Sequence, residues 1–167
     1  YGITLIDLYA MSSIYHGLKP GKAKKVMQVL DHCTIYFLIA GSYTPVLLVA
    51  MMPKYPVIAW VLFGIVWGCA VVACTLTAID LKKYNVFSMI CYLAMGWCII
   101  FFIRQTFEVM GMGGVILLVS GGIAYTVGAV LYGLGKNHRY MHSIFHLFIL
   151  LGSILHFFAI LLYALPQ

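Results

Sequence analysis

Six apolar runs of about 20 residues, at roughly 1–17, 26–50, 56–79, 86–104, 112–134 and 142–165, fill most of this chain, and that is the length a helix needs to cross a hydrocarbon core about 30 Å thick. A chain of 167 residues that is 64% hydrophobic and 8% charged has too little interior to hide its apolar surface from water. Soluble domains run at about 45–50% apolar and about 25% charged, so lipid is expected to cover the remainder. The runs lack the ~10-residue alternation of barrel strands. In lipid every backbone polar group must be satisfied internally, which leaves helices. The expected fold class is all-α integral membrane, a single domain over residues 1–167 with six visible transmembrane helices. The first run is already apolar at Tyr1, so residues are expected upstream; one further span there would give an intact protein of seven.

The formal charge of +6 could suit nucleic acid, but its distribution argues otherwise. Lys19, Lys22, Lys24, Lys25, Lys82, Lys83, Lys136 and Arg139 sit in the short connections at 18–25, 80–85 and 135–141, whereas the opposite side holds Lys54 and Arg104. By the positive-inside rule the first set is cytoplasmic, in a multi-pass protein of the cell membrane. The C-terminal Gln167 is then outside, and nucleic acid is not an expected partner. Cys33, Cys69, Cys74, Cys91 and Cys98 all lie within apolar runs, odd in number and without CxxC spacing, so free thiols packing as small hydrophobes are expected. Pro45 is expected to kink the second span. The glycines around 111–114 and 121–122 suit close helix packing.

Ionisable side chains inside a membrane are costly and are functional hypotheses by default. His16 closes the first run at its cytoplasmic end with Ser12 one turn deeper, Asp31 lies just inside the second, and His142 and His146 open the last. At 1.5 Å per residue these five positions fall within a slab roughly 10 Å thick under the cytoplasmic interface. Residues four apart share a helix face, so Ser12 with His16, and His142 with His146, are pairs. Two histidines at i, i+4 can bind one metal, and a third from another helix leaves one position for water, as in a catalytic zinc site. Asp31 is the candidate to hold that water and take its proton, and Ser12 to orient a partner or donate to a developing oxyanion.

Other ionisable groups fit this constellation less well. Asp7, nine positions before His16, falls about 180° around the helix; structural pairing and function both remain open for it. His32 is expected to face a neighbour or the headgroups, and His138 to be solvated on its loop. His156 shares the stripe of His146 but lies about 15 Å deeper, so it cannot ligate the same ion and is left to polarise a substrate or bridge helices. Glu108 is expected in an exterior loop, solvated.

The segments YAMSSIYHGL, LDHCTIYFLIAGSYTP and HSIFHLFILLGSILHFFAI together resemble the haemolysin III family, in family order and over essentially the whole chain. That family belongs with the progestin and adiponectin receptors and, more distantly, the alkaline ceramidases. The resemblance implies seven helices with an intracellular N-terminus and a zinc ion near the cytoplasmic leaflet. Its ligands would be His16, His142 and His146, with Asp31 reaching the metal through water and Ser12 as the serine of SxxxH. It also implies a lipid partner, a sphingolipid or other acyl amide, and hydrolysis of that amide. The family's first span is missing, as are a long N-terminal domain and an extended tail, so a short bacterial-type member is expected rather than a receptor for a protein hormone. A pore-forming haemolysin, or a sensor with a structural zinc, are the alternative functions; no helix offers the continuous polar face that a pore demands.

Overall fold

The computed structural model describes residues 1–135 and 140–165, so Lys136, His138, Arg139 and Gln167 lie outside the described residues. All regular structure among those described is helical: α1 (Gly2–Gly17), α2 (Lys22–Pro45), α3 (Pro56–Ile79), α4 (Asn85–Trp97), α5 (Ile103–Leu134) and α6 (Met141–Ala159). α2 continues as a π-helical turn over Val46–Met51, α4 joins α5 through a 3-10 turn at Cys98–Phe102, and α6 continues as a π turn over Ile160–Ala164. These join into five helical runs, the fourth of them broken at Gly111, so the expected count of six, or seven with an upstream span, is not borne out. Four runs are long and apolar enough to cross a membrane: Lys22–Met51, Pro56–Ile79, Asn85–Leu134 and Met141–Ala164.

The count fails between residues 105 and 110, where a loop was expected and helix is found, with the break confined to Gly111. Arg104 and Glu108, whose charges end a hydropathic span, are spaced i, i+4 and meet at 3.5 Å, a pairing that supports helix. Glu108 is accordingly not simply solvated. It also accepts Lys54 Nζ at 2.8 Å and the Tyr55 hydroxyl, and the bond from Lys54 raises that ammonium above its ordinary pKa.

Gly111 sets the course of this 50-residue run. Its φ of 65° and ψ of −179° leave the helical region, a conformation costly to any residue with a Cβ. Met89 packs against Gly133, and Trp97 against Gly122, with its indole donating to Thr126 Oγ1 at 2.9 Å. These partners stand at similar distances in sequence on either side of Gly111, so the two halves lie antiparallel. Pro45 leaves an N–H missing inside α2, and the wider π turn follows it directly.

The core forms where α2 meets α3. Ala59, Leu62, Val66, Ala70 and Ala73 recur every three or four residues and bury against Tyr36, Ala40, Tyr43 and Leu47. The other faces of α3, including Val57, Trp60, Val61, Ile65, Val71 and Val72, are exposed. Such large apolar faces on a monomer mark contact with something other than water. Polar seams tie the helices: Tyr36 Oη meets Thr77 Oγ1 at 3.1 Å, Thr77 meets Ser88 Oγ at 3.1 Å, and Tyr92 donates to the His32 carbonyl at 2.9 Å. Tyr43 donates to the Gly96 carbonyl and accepts the Ile99 N–H, satisfying a group freed by the 3-10 turn. The five cysteines are free, but only Cys33 is fully buried, and Cys69 is exposed on the outer surface.

α5 and α6 pack antiparallel along glycines repeating every seven residues. Gly114 faces Tyr163, Gly121 faces His156, Gly128 faces Phe148, and Gly135, at the C-cap of α5, faces Met141. A seven-residue repeat keeps one seam facing its partner with a left-handed twist, and the absent side chains let the backbones approach. A Cβ at Gly121 would stand 2.2 Å from His156 Cδ2. Overpacking costs about 1–3 kcal/mol, against the ~1 kcal/mol that Ala gains over Gly in helix propensity. Gly121→Ala is therefore expected to lower the melting temperature in detergent. An unchanged or raised value would contradict this packing.

Candidate metal centre

Two helix ends bring the histidines together. α1 delivers His16 from its last turn, and the first turns of α6 deliver His142 and His146 on one face. His142 Nε2 lies 3.1 Å from His16 Nε2 and 3.0 Å from His146 Nε2. One nitrogen from each of the three falls within 4.8 Å of the others. The rings meet edge to face, with centroids 4.6–5.3 Å apart, so they converge through their nitrogens instead of stacking.

Hydrogen bonding among the rings cannot satisfy this arrangement. A neutral ring nitrogen carries either one proton or one lone pair, yet His142 Nε2 faces two other Nε2 atoms. It can serve one of them and leaves the second contact unpaired. A single cation facing all three lone pairs removes the conflict. Three nitrogens bound tetrahedrally at about 2.0–2.1 Å from a metal stand about 3.3 Å apart, close to the separations His142 makes. The donor set fits a metal.

The cluster opens into a cavity of about 450 Å³ lined by α1, α2, α4, α5 and α6. Ser12 and Asp31 border the same cavity, so all five residues singled out in the sequence share it. No described residue donates a hydrogen bond to the Asp31 carboxylate, and its backbone carbonyl accepts Thr34 Oγ1 at 2.8 Å. Asp7 is exposed and takes no part in the lining. His32 is held by its own helix, Nδ1 donating to the Gln28 carbonyl at 2.8 Å.

His156 lines the cavity and stands apart from the cluster. Its Nε2 lies 3.1 Å from the Leu118 carbonyl, which can only accept, so Nε2 carries the proton. Nδ1 is then a buried lone pair without a partner among the described residues. Of the two roles left open for it, bridging helices is the one this bond describes.

Sequence reasoning missed a group of hydroxyls. The Tyr9 hydroxyl lies 3.1 Å and the Tyr125 hydroxyl 2.9 Å from Ser153 Oγ, and the Tyr1 hydroxyl donates to the Ser153 carbonyl at 2.7 Å. The signal was present: Tyr9 lies seven residues before His16 and Ser153 seven after His146.

Apolar helices of spanning length, gathered around a cavity, define a multi-pass helical membrane protein. The family described as haemolysin-III related matches residues 1–157. The chain belongs to the haemolysin III family. It is 37% identical to hemolysin-3 of Bacillus cereus over 99% of its length and 74% of that protein's. It is 34% identical to the hemolysin-3 homolog of Bacillus subtilis, over 98% of this chain and 75% of the relative. The human monocyte to macrophage differentiation factor is 27% identical over 96% of the chain and 67% of its own length. No solved structure matches the chain significantly.

Proposed function

We propose that this chain is a zinc-dependent hydrolase of lipid amide bonds, with His16, His142 and His146 as the ligands. The supporting observation is the convergence of three imidazole nitrogens at a cavity between the helices that also presents a carboxylate and a hydroxyl. Zinc is favoured because three neutral imidazoles with an open fourth position suit it. When bound it would supply Lewis acidity and bring the pKa of a water towards about 7.

The chain's own residues do the rest. The Asp31 carboxylate accepts a proton from the water as its oxygen attacks the amide carbonyl carbon. Ser12 donates to the carbonyl oxygen as negative charge builds there. When the C–N bond breaks, the proton held by Asp31 passes to the departing nitrogen, giving a carboxylic acid and an amine. The cavity takes the acyl chain. Lys19, Lys22, Lys24 and Lys25 flank the end of the bundle that carries His16, which supports a cytoplasmic placement of the site and an outside C-terminus.

Purified protein given N-acyl sphingoid lipids in mixed micelles is expected to release fatty acid. Chelation should stop the release and added zinc should restore it. Release that survives complete chelation would contradict the proposal. The name hemolysin-3 of two relatives suggests a pore as the second reading. Ion flux through liposomes that chelation leaves unchanged would favour the pore.

A further inference from the structure

We propose that Tyr9 and Ser153 are positioning residues for the histidine cluster, locking α1 against α6 in the register that presents the third ligand; this rests on reading the cluster as a metal site. His142 and His146 share one helix, which fixes their spacing. His16 comes from α1, a run of only 16 residues, so its place depends on how α1 is tied to the bundle. Among the described residues, every cross-helix hydrogen bond made by the side chains of residues 1–17 ends either in the histidine cluster or in the Ser153–Tyr125 group.

The spacing makes these two layers of one seam. Seven residues advance a helix by about two turns, with an angular offset of about 20°. Tyr9 therefore stands on the stripe of His16, and Ser153 on that of His146. The two helices run antiparallel, so Tyr9 meets Ser153 about 10 Å deeper than His16 meets His142 and His146. The Ser153 hydroxyl donates to the Ile149 carbonyl at 2.9 Å. With its one proton spent, its lone pairs accept Tyr9 at 3.1 Å and Tyr125 at 2.9 Å. Ser153 is 2% exposed, so water does not substitute for either partner. The hydroxyl is saturated, and the seam has one register in which it can be.

Beyond this layer α1 is held by apolar packing around Leu8 and by the close approach of Thr4 to Gly41. Apolar contacts tolerate sliding better than metal bonds do, since ligand distances hold to within about 0.2 Å. Loss of the hydroxyl layer should therefore appear first as loss of metal affinity.

The test compares full-length wild type with Ser153→Ala, the milder Tyr9→Phe, and Tyr36→Phe. The last removes a buried hydroxyl from the separate Tyr36–Thr77 bond. Zinc affinity is read by competition with a chelating dye, the ligand set by the visible spectrum of the cobalt(II)-loaded protein, and folding by helical content and melting temperature. Ser153→Ala and Tyr9→Phe touch no ligand and act through the register of α1, so they are expected to weaken zinc by about tenfold, the lower end of what losing a ligand's own outer partner costs. Their cobalt spectra should shift away from a three-nitrogen set while helical content stays unchanged. Tyr36→Phe should keep wild-type affinity even where its melting temperature falls equally. Wild-type affinity in both Ser153→Ala and Tyr9→Phe overturns the positioning role and leaves the metal site standing. Equal loss in Tyr36→Phe overturns it as general loosening. A wild type that binds neither ion overturns it together with the metal-site reading.

Discussion

The Asp31→Ala protein is expected to keep its metal and lose its hydrolysis. Asp31 stands on α2, borders the cavity beside the cluster, and is not one of the three converging ligands. Removing it should leave the imidazoles in place, with zinc affinity changed by less than tenfold. A positioned general base contributes about 10²–10⁴ in rate, and a loss of that size in kcat is expected at saturating lipid. Asp31→Asn should fall with it, because an amide holds water but takes no proton. Two results would sink the assigned role: turnover near wild type in Asp31→Ala, or metal lost together with activity, which would make Asp31 a ligand.

His16→Ala should do the opposite. Losing an outer partner of a ligand costs about 10- to 100-fold in affinity. Losing a ligand outright is expected to cost more than about 100-fold, with activity lost in parallel. Because His16 alone comes from α1, this variant should also loosen that helix. Hydrogen exchange of residues 2–17 is expected to rise towards that of the metal-stripped wild type, while α6 keeps its protection. Zinc affinity within tenfold of wild type would remove His16 from the ligand set.

Much of the site could be read from the chain because its signals are local. SxxxH and HxxxH each put two side chains on one helix face, and the charge of the flanking lysines brought both helix ends to one depth. Asp31 joined them by the same reasoning. The α3 stripe from Ala59 to Ala73, by contrast, does not stand out by hydropathy, because the exposed faces of that helix are equally apolar.

What was not legible depends on pairs distant in sequence or on charge in an unexpected setting. Arg104 and Glu108 end an apolar window, yet paired with each other and with Lys54 they sit in continuous helix, which cost the span count. Gly114 and Gly121 suggested close packing but not the seven-residue seam that Gly128 and Gly135 complete, because α6 answers it with large side chains. Tyr9 and Tyr125 carry no local mark of their role, because they meet only through Ser153 on a third helix. His156 seemed available for chemistry, and its proton is committed to the Leu118 carbonyl.

The central claim is that His16, His142 and His146 hold one metal ion. Its most direct test is the metal content of the purified protein beside that of His142→Ala, by elemental analysis after expression in zinc-supplemented medium. The account predicts about one zinc per chain in the wild type and essentially none in the variant. No stoichiometric metal in the wild type, or equal metal in both, would contradict it.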